Sequence, residues 1–187
     1  MKNLSDNQII ESILKGNHSD YALLIDRYKD RAFSLLKRIL KDEMDAEEAL
    51  QDSFLKAFNS LKDFRMEAKF STWFYKIVYN TALTVITRKK RQIEKQMLSI
   101  DEDFELKDDN QAYSTSNDAK EFVLKMIDKL PPRNALVVIL FYIDNLSLDE
   151  ISKVLDISIV NTKVMLHRSR NALRDVLIKH NYHEEIL

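Results

Sequence analysis

The stretch FSTWFYKIVYN at residues 70–80 sets Phe70, Trp73, Phe74, Tyr75 and Tyr79 close together, and the same helical pattern runs on into Arg88, Lys89, Lys90 and Arg91. Flat rings beside clustered cations suit unpaired nucleic acid: bases stack on the rings while the cations hold phosphates. At about 100° per residue, Phe70, Phe74, Ile77, Thr81 and Val85 share one face, with Trp73 at its margin. Tyr75, Tyr79, Ala82 and Ile86 form a second stripe, with Lys76, Asn80, Leu83 and Thr87 between the two. The second stripe has two readings. Either the helix is sandwiched between two neighbours, or exposed rings make a stacking platform for separated bases.

A second constellation, SLDEISKVLDISIVNTKVMLHRSR at 147–170, has the layout of a helix-turn-helix: a short capped helix, a brief turn and a longer helix rich in cations. Thr162, Leu166, Ser169 and Leu173 fall on one side, which leaves Asn161, Lys163, Val164, Met165, His167 and Arg168 for a DNA major groove. The alternative is an ordinary helical hairpin with a solvated basic side. Asp156 stands where glycine usually makes the turn, and Asp tolerates left-handed backbone better than most residues. His180, His183 and Glu184 have metal-like spacing but sit at a chain end, and residues 101–112 lack the Gly and Glu of a calcium loop. With no nucleophile triad or acid pair to argue for, neither enzyme activity nor a metal or cofactor is expected.

The elements that must position these residues read as helices throughout. Ser5 with Gln8 makes a capping box ahead of Ile9, Ile10, Ile13 and Leu14, and Gly16 is the stop. A second helix spans about 20–41; a third opens with Asp45 and Glu48 as its cap and carries Leu50, Phe54, Phe58 and Leu61. Ser71 is placed to cap the long helix of the opening motif. From 99 to 117 periodicity gives way to acids, Asn, Gln, Ser and Thr, the composition of a solvated linker. Beyond it, Pro131-Pro132 precedes the apolar run 135–143, and proline at a first helical turn favours helix over strand there. Ser147 and Glu150 then box a short helix through Leu155, followed by a helix to about Lys179.

The totals agree with this reading. One glycine and two prolines in 187 residues leave little material for hairpins or phosphate-cradling loops, and the absence of cysteine removes disulfides and thiol chemistry. No apolar run approaches the roughly 18 residues of a membrane span, and the first ten residues lack signal-peptide order, so a cytoplasmic protein without membrane insertion is expected. The net charge of −1 conceals segregation. Residues 68–95 carry Lys69, Lys76, Arg88, Lys89, Lys90, Arg91 and Lys95 against Glu94, whereas 101–109 carry six acids against Lys107.

Three blocks in order, DAEEALQDSFLKAF at 45–58, FRMEAKFSTWFYKIVYNTAL at 64–83, and LPPRNALVVILFYIDNLSLDEISKVLDIS running on to TKVMLHRSRNALR at 130–174, resemble the two-domain extracytoplasmic-function (ECF) sigma factors of the sigma-70 family. The resemblance implies an all-α chain of two small domains, a region-2-like domain at 1–97 and a region-4-like helix-turn-helix domain at 118–187, joined by an acidic linker at 98–117. Such a protein binds core RNA polymerase, on its β′ clamp helices and β flap, directs it to promoter DNA and helps melt the duplex. By the same resemblance Asp45, Glu48, Gln51, Asp52 and Phe54 meet polymerase, with Phe54 as apolar anchor. The minus-ten element falls to Phe64, Arg65, Lys69, Trp73, Tyr75, Lys76, Tyr79, Asn80, Arg88, Lys89, Lys90 and Arg91, and Trp73 is equally open to a core role. The minus-thirty-five element falls to Asn161, Lys163, Val164, Met165, His167, Arg168 and Arg170. An anti-sigma factor is a further partner that the family suggests. Departures lie at Met66, Tyr79 and Thr84, where the family commonly has Gly, Arg and Asp, and at Val160, Val164 and Met165, which trade polar reach for apolar contact. The alternative is a helix-turn-helix regulator that binds duplex DNA without polymerase, and the block at 45–58 argues against it.

Overall fold

The computed structural model describes residues 4–97 and 119–179, and among them every regular element is helical. Helix α1 (Asp6–Leu14) opens with the expected capping box, Ser5 and Gln8 each accepting the other's backbone N–H, and Gly16 ends it at φ 104°. Helix α2 (Tyr21–Leu40) stops at Lys41 in a left-handed conformation. Helix α3 (Glu43–Ser60) is capped by Asp42, not by Asp45 as the sequence suggested. Asp42 is extended, so its carboxylate reaches the N–H of Asp45, which is already in the first helical turn.

A 3-10 turn (Leu61–Asp63) and a loop containing Met66 at φ 58° lead into α4 (Phe70–Met97). This helix begins one residue before Ser71, and the N–H of Trp73 already reaches the carbonyl of Lys69 at 3.2 Å. Ser71 is therefore inside the first turn and does not cap it.

The second half contains α5 (Ala119–Asp128), α6 (Pro132–Val138), α7 (Leu148–Leu155) and α8 (Ile159–Lys179). Proline at the start of α6 does favour helix over strand, and the helix relaxes into a π turn over Ile139–Ile143. Ser147 and Glu150 form the capping box of α7, and Asp156 makes the following turn at φ 54°, ψ 48°, the left-handed geometry expected there. The acidic linker, the calcium-like stretch and the His180, His183 and Glu184 group lie outside the described residues.

The first bundle closes on an aromatic centre. Tyr28 sets its ring against Phe70, Phe74 and Tyr75 at centroid distances of 5.4, 5.8 and 6.4 Å, and the Tyr21 hydroxyl donates to the Phe54 carbonyl at 2.7 Å. Each such ring contributes roughly 1.5–3 kcal/mol through burial. Ile127, Leu130, Ala135, Val138 and Ile139 form a smaller core against Leu173 and Val176 of α8. The other side of the second half does not close on itself: Leu136, Leu140, Leu146, Ile151, Val154 and Leu155 belong to the same apolar cluster as the first bundle. Helix α7 lies along α4, and α6 meets α2.

Candidate nucleic-acid interface

Helix α4 is buried on two sides for two reasons. Phe70, Phe74, Thr81 and Val85 face the first bundle, as the helical wheel requires. The stripe that includes Thr72, Tyr75 and Lys76 faces the second half. Thr72 Oγ1 donates to Glu150 at 3.2 Å, the Tyr75 hydroxyl donates to Asp144 at 3.1 Å, and Lys76 stands 4.0 Å from Asp156. Lys69 pairs with Glu150 at 3.0 Å, and Arg31 of α2 approaches Asp144 at 3.8 Å. The rings expected to stand exposed are covered: Tyr75 is 1% and Tyr79 5% exposed. Of the two readings of this stripe the sandwich describes the closed molecule, and one of its slices comes from the far half of the chain.

Electrostatics at this seam follow from burial. Burial, then the neighbouring Asp144 carboxylate, push the Tyr75 hydroxyl far above its ordinary value, so it stays protonated and donates. Burial also raises Asp144, against the opposing effects of the Tyr75 hydroxyl and Arg31. At Glu150 burial acts upward, but the Ser147 backbone N–H and Lys69 together outweigh it and hold the carboxyl below its usual range.

Farther along α4 the surface opens. Asn80, Leu83, Thr84, Thr87, Arg88, Arg91 and Gln92 line one groove, polar and cationic with Leu83 among them. Lys90 is exposed as well. Arg88 lies 3.5 Å from Glu48, and Lys89 pairs with Asp45, so the structure brings two expected strand cations against two expected docking acids. At the other end Phe64 is buried, its ring 5.0 Å from Trp73, which also touches Phe70 at 5.7 Å; Trp73 is half-buried and Arg65 exposed.

Helix α3 separates its faces sharply. Ala46, Ala49, Ser53 and Ala57 form a fully buried inner stripe whose small side chains admit close helix contact. Phe54, at 7% exposure, points inward with them and stacks near Phe74 at 4.7 Å, so it is a core ring in the free chain. Glu48, Gln51 and Asp52 are exposed. The large apolar groups they accompany are Met44 and Leu55, 81% and 61% exposed, which sequence reasoning missed. The signal was present: 44, 48, 51 and 55 follow the helical period opposite the small-residue stripe.

Helix α8 buries Thr162, Leu166 and Ser169 and exposes Asn161, Lys163, Val164, His167 and Arg168, with Met165 partly covered. Arg170 turns its guanidinium over the Phe141 and Tyr142 rings at 5.6 and 5.5 Å, a cation–π contact that holds it toward the protein.

Comparison with known proteins decides the family. The family model for Sigma-70 region 2 matches residues 24–92, and that for Sigma-70, region 4 matches residues 122–173. The ECF RNA polymerase sigma factor SigW of Bacillus subtilis is 32% identical over 181 residues, 90% of this chain and 94% of SigW. The chain belongs to the ECF sigma factors. A further relative is the ECF RNA polymerase sigma-E factor of Escherichia coli K12, 28% identical over 91% of this chain and 93% of that protein. Two solved structures share the fold: the sigma factor RpoE in complex with the anti-sigma factor NepR from Bartonella quintana (TM-score 0.66, 18% identity, 84% of this chain and 96% of that one), and CnrH in complex with the cytosolic domain of CnrY (TM-score 0.62, 19% identity, 91% and 96%). As a sigma factor the chain binds core RNA polymerase, directs it to promoters and assists melting; a polymerase-independent regulator is not favoured. No helix among the described residues is long and apolar enough to cross a membrane.

Proposed function

We propose that this sigma factor divides its work among three helical faces. The outer face of α3, with Met44, Glu48, Gln51, Asp52 and Leu55, docks on the clamp helices of polymerase. The loop at 64–69 and the open side of α4 take the minus-ten element, Asn80 offering polar contact and Arg88, Lys89, Lys90 and Arg91 gathering phosphates. Trp73, half-buried beside Phe64, shapes the pocket for unstacked bases, and Tyr75 and Tyr79, buried in this structure, back it from within. The exposed side of α8 reads the minus-thirty-five element, where Val164 and Met165 suit thymine methyl groups and Lys163, His167 and Arg168 the adjacent polar atoms. The chain performs no chemistry itself; polymerase does.

The observation that carries this reading is the two-sided build of α3, whose acids and two large apolar side chains stand in solvent opposite a fully buried small-residue stripe. Polar groups around an apolar centre are what a helix-on-helix interface uses. Titration of labelled chain with core polymerase tests it: Asp52→Lys should weaken assembly severalfold with the fold intact, and unchanged assembly would remove α3 as the docking face. The complex of the sigma factor RpoE with the anti-sigma factor NepR supports a similar protein inhibitor here.

A further inference from the structure

The outer side of α8 carries its aliphatic side chains in the middle and its cations at the edges. Thr162, Leu166 and Ser169 are buried, so the direction opposite them points straight out of the protein. At about 100° per residue that ridge holds Val160, Val164, His167 and Asn171, with Arg168 and Asn161 on one flank and Lys163 on the other. Val160 and Val164 are 64% and 43% exposed, whereas Met165 at the edge is partly covered. The His167 ring meets the Asn171 side chain at 3.3 Å, which occupies its Nε2. A solvated surface helix is polar along its outer ridge, and this one is the reverse. Placed in a major groove, the ridge meets base-pair edges and the flanks meet the walls. The apolar group that base edges offer there is the C5 methyl of thymine.

We propose that Val160 and Val164 are the specificity-determining residues of α8 and read a pair of thymine methyl groups, while the flanking Lys163 and Arg168 bind without regard to those methyls. The two valines stand one helical turn apart, about 6 Å along the axis, and successive base pairs are about 3.4 Å apart, so the two thymines fall within two base-pair steps of each other. Val160 lies in the first turn of α8, the part of a recognition helix that reaches base edges in helix-turn-helix proteins. The inference rests on the reading of α8 as the minus-thirty-five helix and names the chemical group that this helix selects.

The test uses the holoenzyme. Core polymerase loaded with the full chain selects from a randomised duplex pool, and the selected duplexes should share two thymines within two base-pair steps in their upstream element. That element is then resynthesised with deoxyuridine in place of thymidine, which removes the C5 methyl and leaves the hydrogen-bonding groups. Each lost methyl contact should weaken binding about threefold to fivefold, and the pair about tenfold or more. Val160→Ala and Val164→Ala, both at exposed positions, should each lower the thymidine-to-deoxyuridine affinity ratio by one such step, and the double variant should bring it near one. Lys163→Ala should weaken both duplexes alike and keep the ratio. A ratio of one in the parent overturns the proposal, as does a ratio that the valine variants leave unchanged. The two ways of failing are distinct: if α8 does not read the minus-thirty-five element, no upstream element is enriched and Lys163→Ala has no effect, whereas a wrong thymine assignment leaves an enriched element that binds equally with either base.

Discussion

Replacing Leu55 by alanine should separate docking from folding on α3. Leu55 is 61% exposed, and complete burial of a leucine side chain is worth roughly 1.5–3 kcal/mol, so the part that polymerase can still cover is worth about 1–2 kcal/mol. That corresponds to a loss of roughly fivefold to thirtyfold in affinity for core polymerase. Stability should change by less than about 0.5 kcal/mol, as at other exposed positions. Phe54→Ala provides the contrast. Its ring is buried between Phe74 and Tyr21, and removing such a ring costs about 3–5 kcal/mol, a large share of a typical domain's total. Urea denaturation and fluorescence titration with core polymerase, run on both variants, give the two quantities. If Leu55→Ala docked like the parent, or Phe54→Ala unfolded at the parent's midpoint, the division of α3 into an outer docking face and an inner core face would be wrong.

Asp42→Ala should cost about 1 kcal/mol in urea denaturation through the lost helix cap, and Asp45→Ala clearly less, since only Asp42 accepts the cap hydrogen bond. Arg91→Ala should weaken single-strand binding to the holoenzyme across sequences and lower the salt dependence by about 0.7 of a phosphate-linked ion; an unchanged slope would take Arg91 off the strand path. Stability should depend on pH. Asp144, faced by Tyr75 of α4 and Arg31 of α2, binds its proton more readily in the folded chain. Its contribution to stability is complete below the ordinary carboxylate value and fades as pH rises through the raised one, while Glu150, shifted downward, withdraws its contribution only as pH falls through its depressed value. The contribution of Asp144 to the urea midpoint, measured against Asp144→Asn, should therefore decline as pH climbs just above the ordinary carboxylate range, and a flat profile would contradict its assigned role.

Local signals in the chain were legible because they are local. The capping boxes at Ser5 and Ser147, the proline start of α6 and the left-handed turn at Asp156 each depend on a few neighbouring residues. The cap of α3 was misplaced by one turn because Asp42 and Asp45 both precede acceptable helical patterns, and only the extended backbone at Asp42 distinguishes them. Met66 adopts the positive φ that glycine tolerates most easily, which fits the glycine that the family resemblance implies there. At the site, the exposed side of α8 followed from periodicity alone, but the fate of Tyr75 did not. Its cover comes from Asp144, far away in sequence, and a helical wheel can say that a second face is apolar without saying which neighbour meets it. Met44 and Leu55 look like core residues by type, and only their place opposite the small-residue stripe, which also turns Phe54 inward, marks them as outer-face groups.

Run-off transcription with core polymerase on genomic fragments tests the central claim most directly. With this chain added, the account predicts discrete new transcripts from a subset of fragments, each preceded by a defined minus-ten and minus-thirty-five pair and absent from core alone. No transcript above background, from a core preparation that initiates normally with another sigma factor, would contradict it.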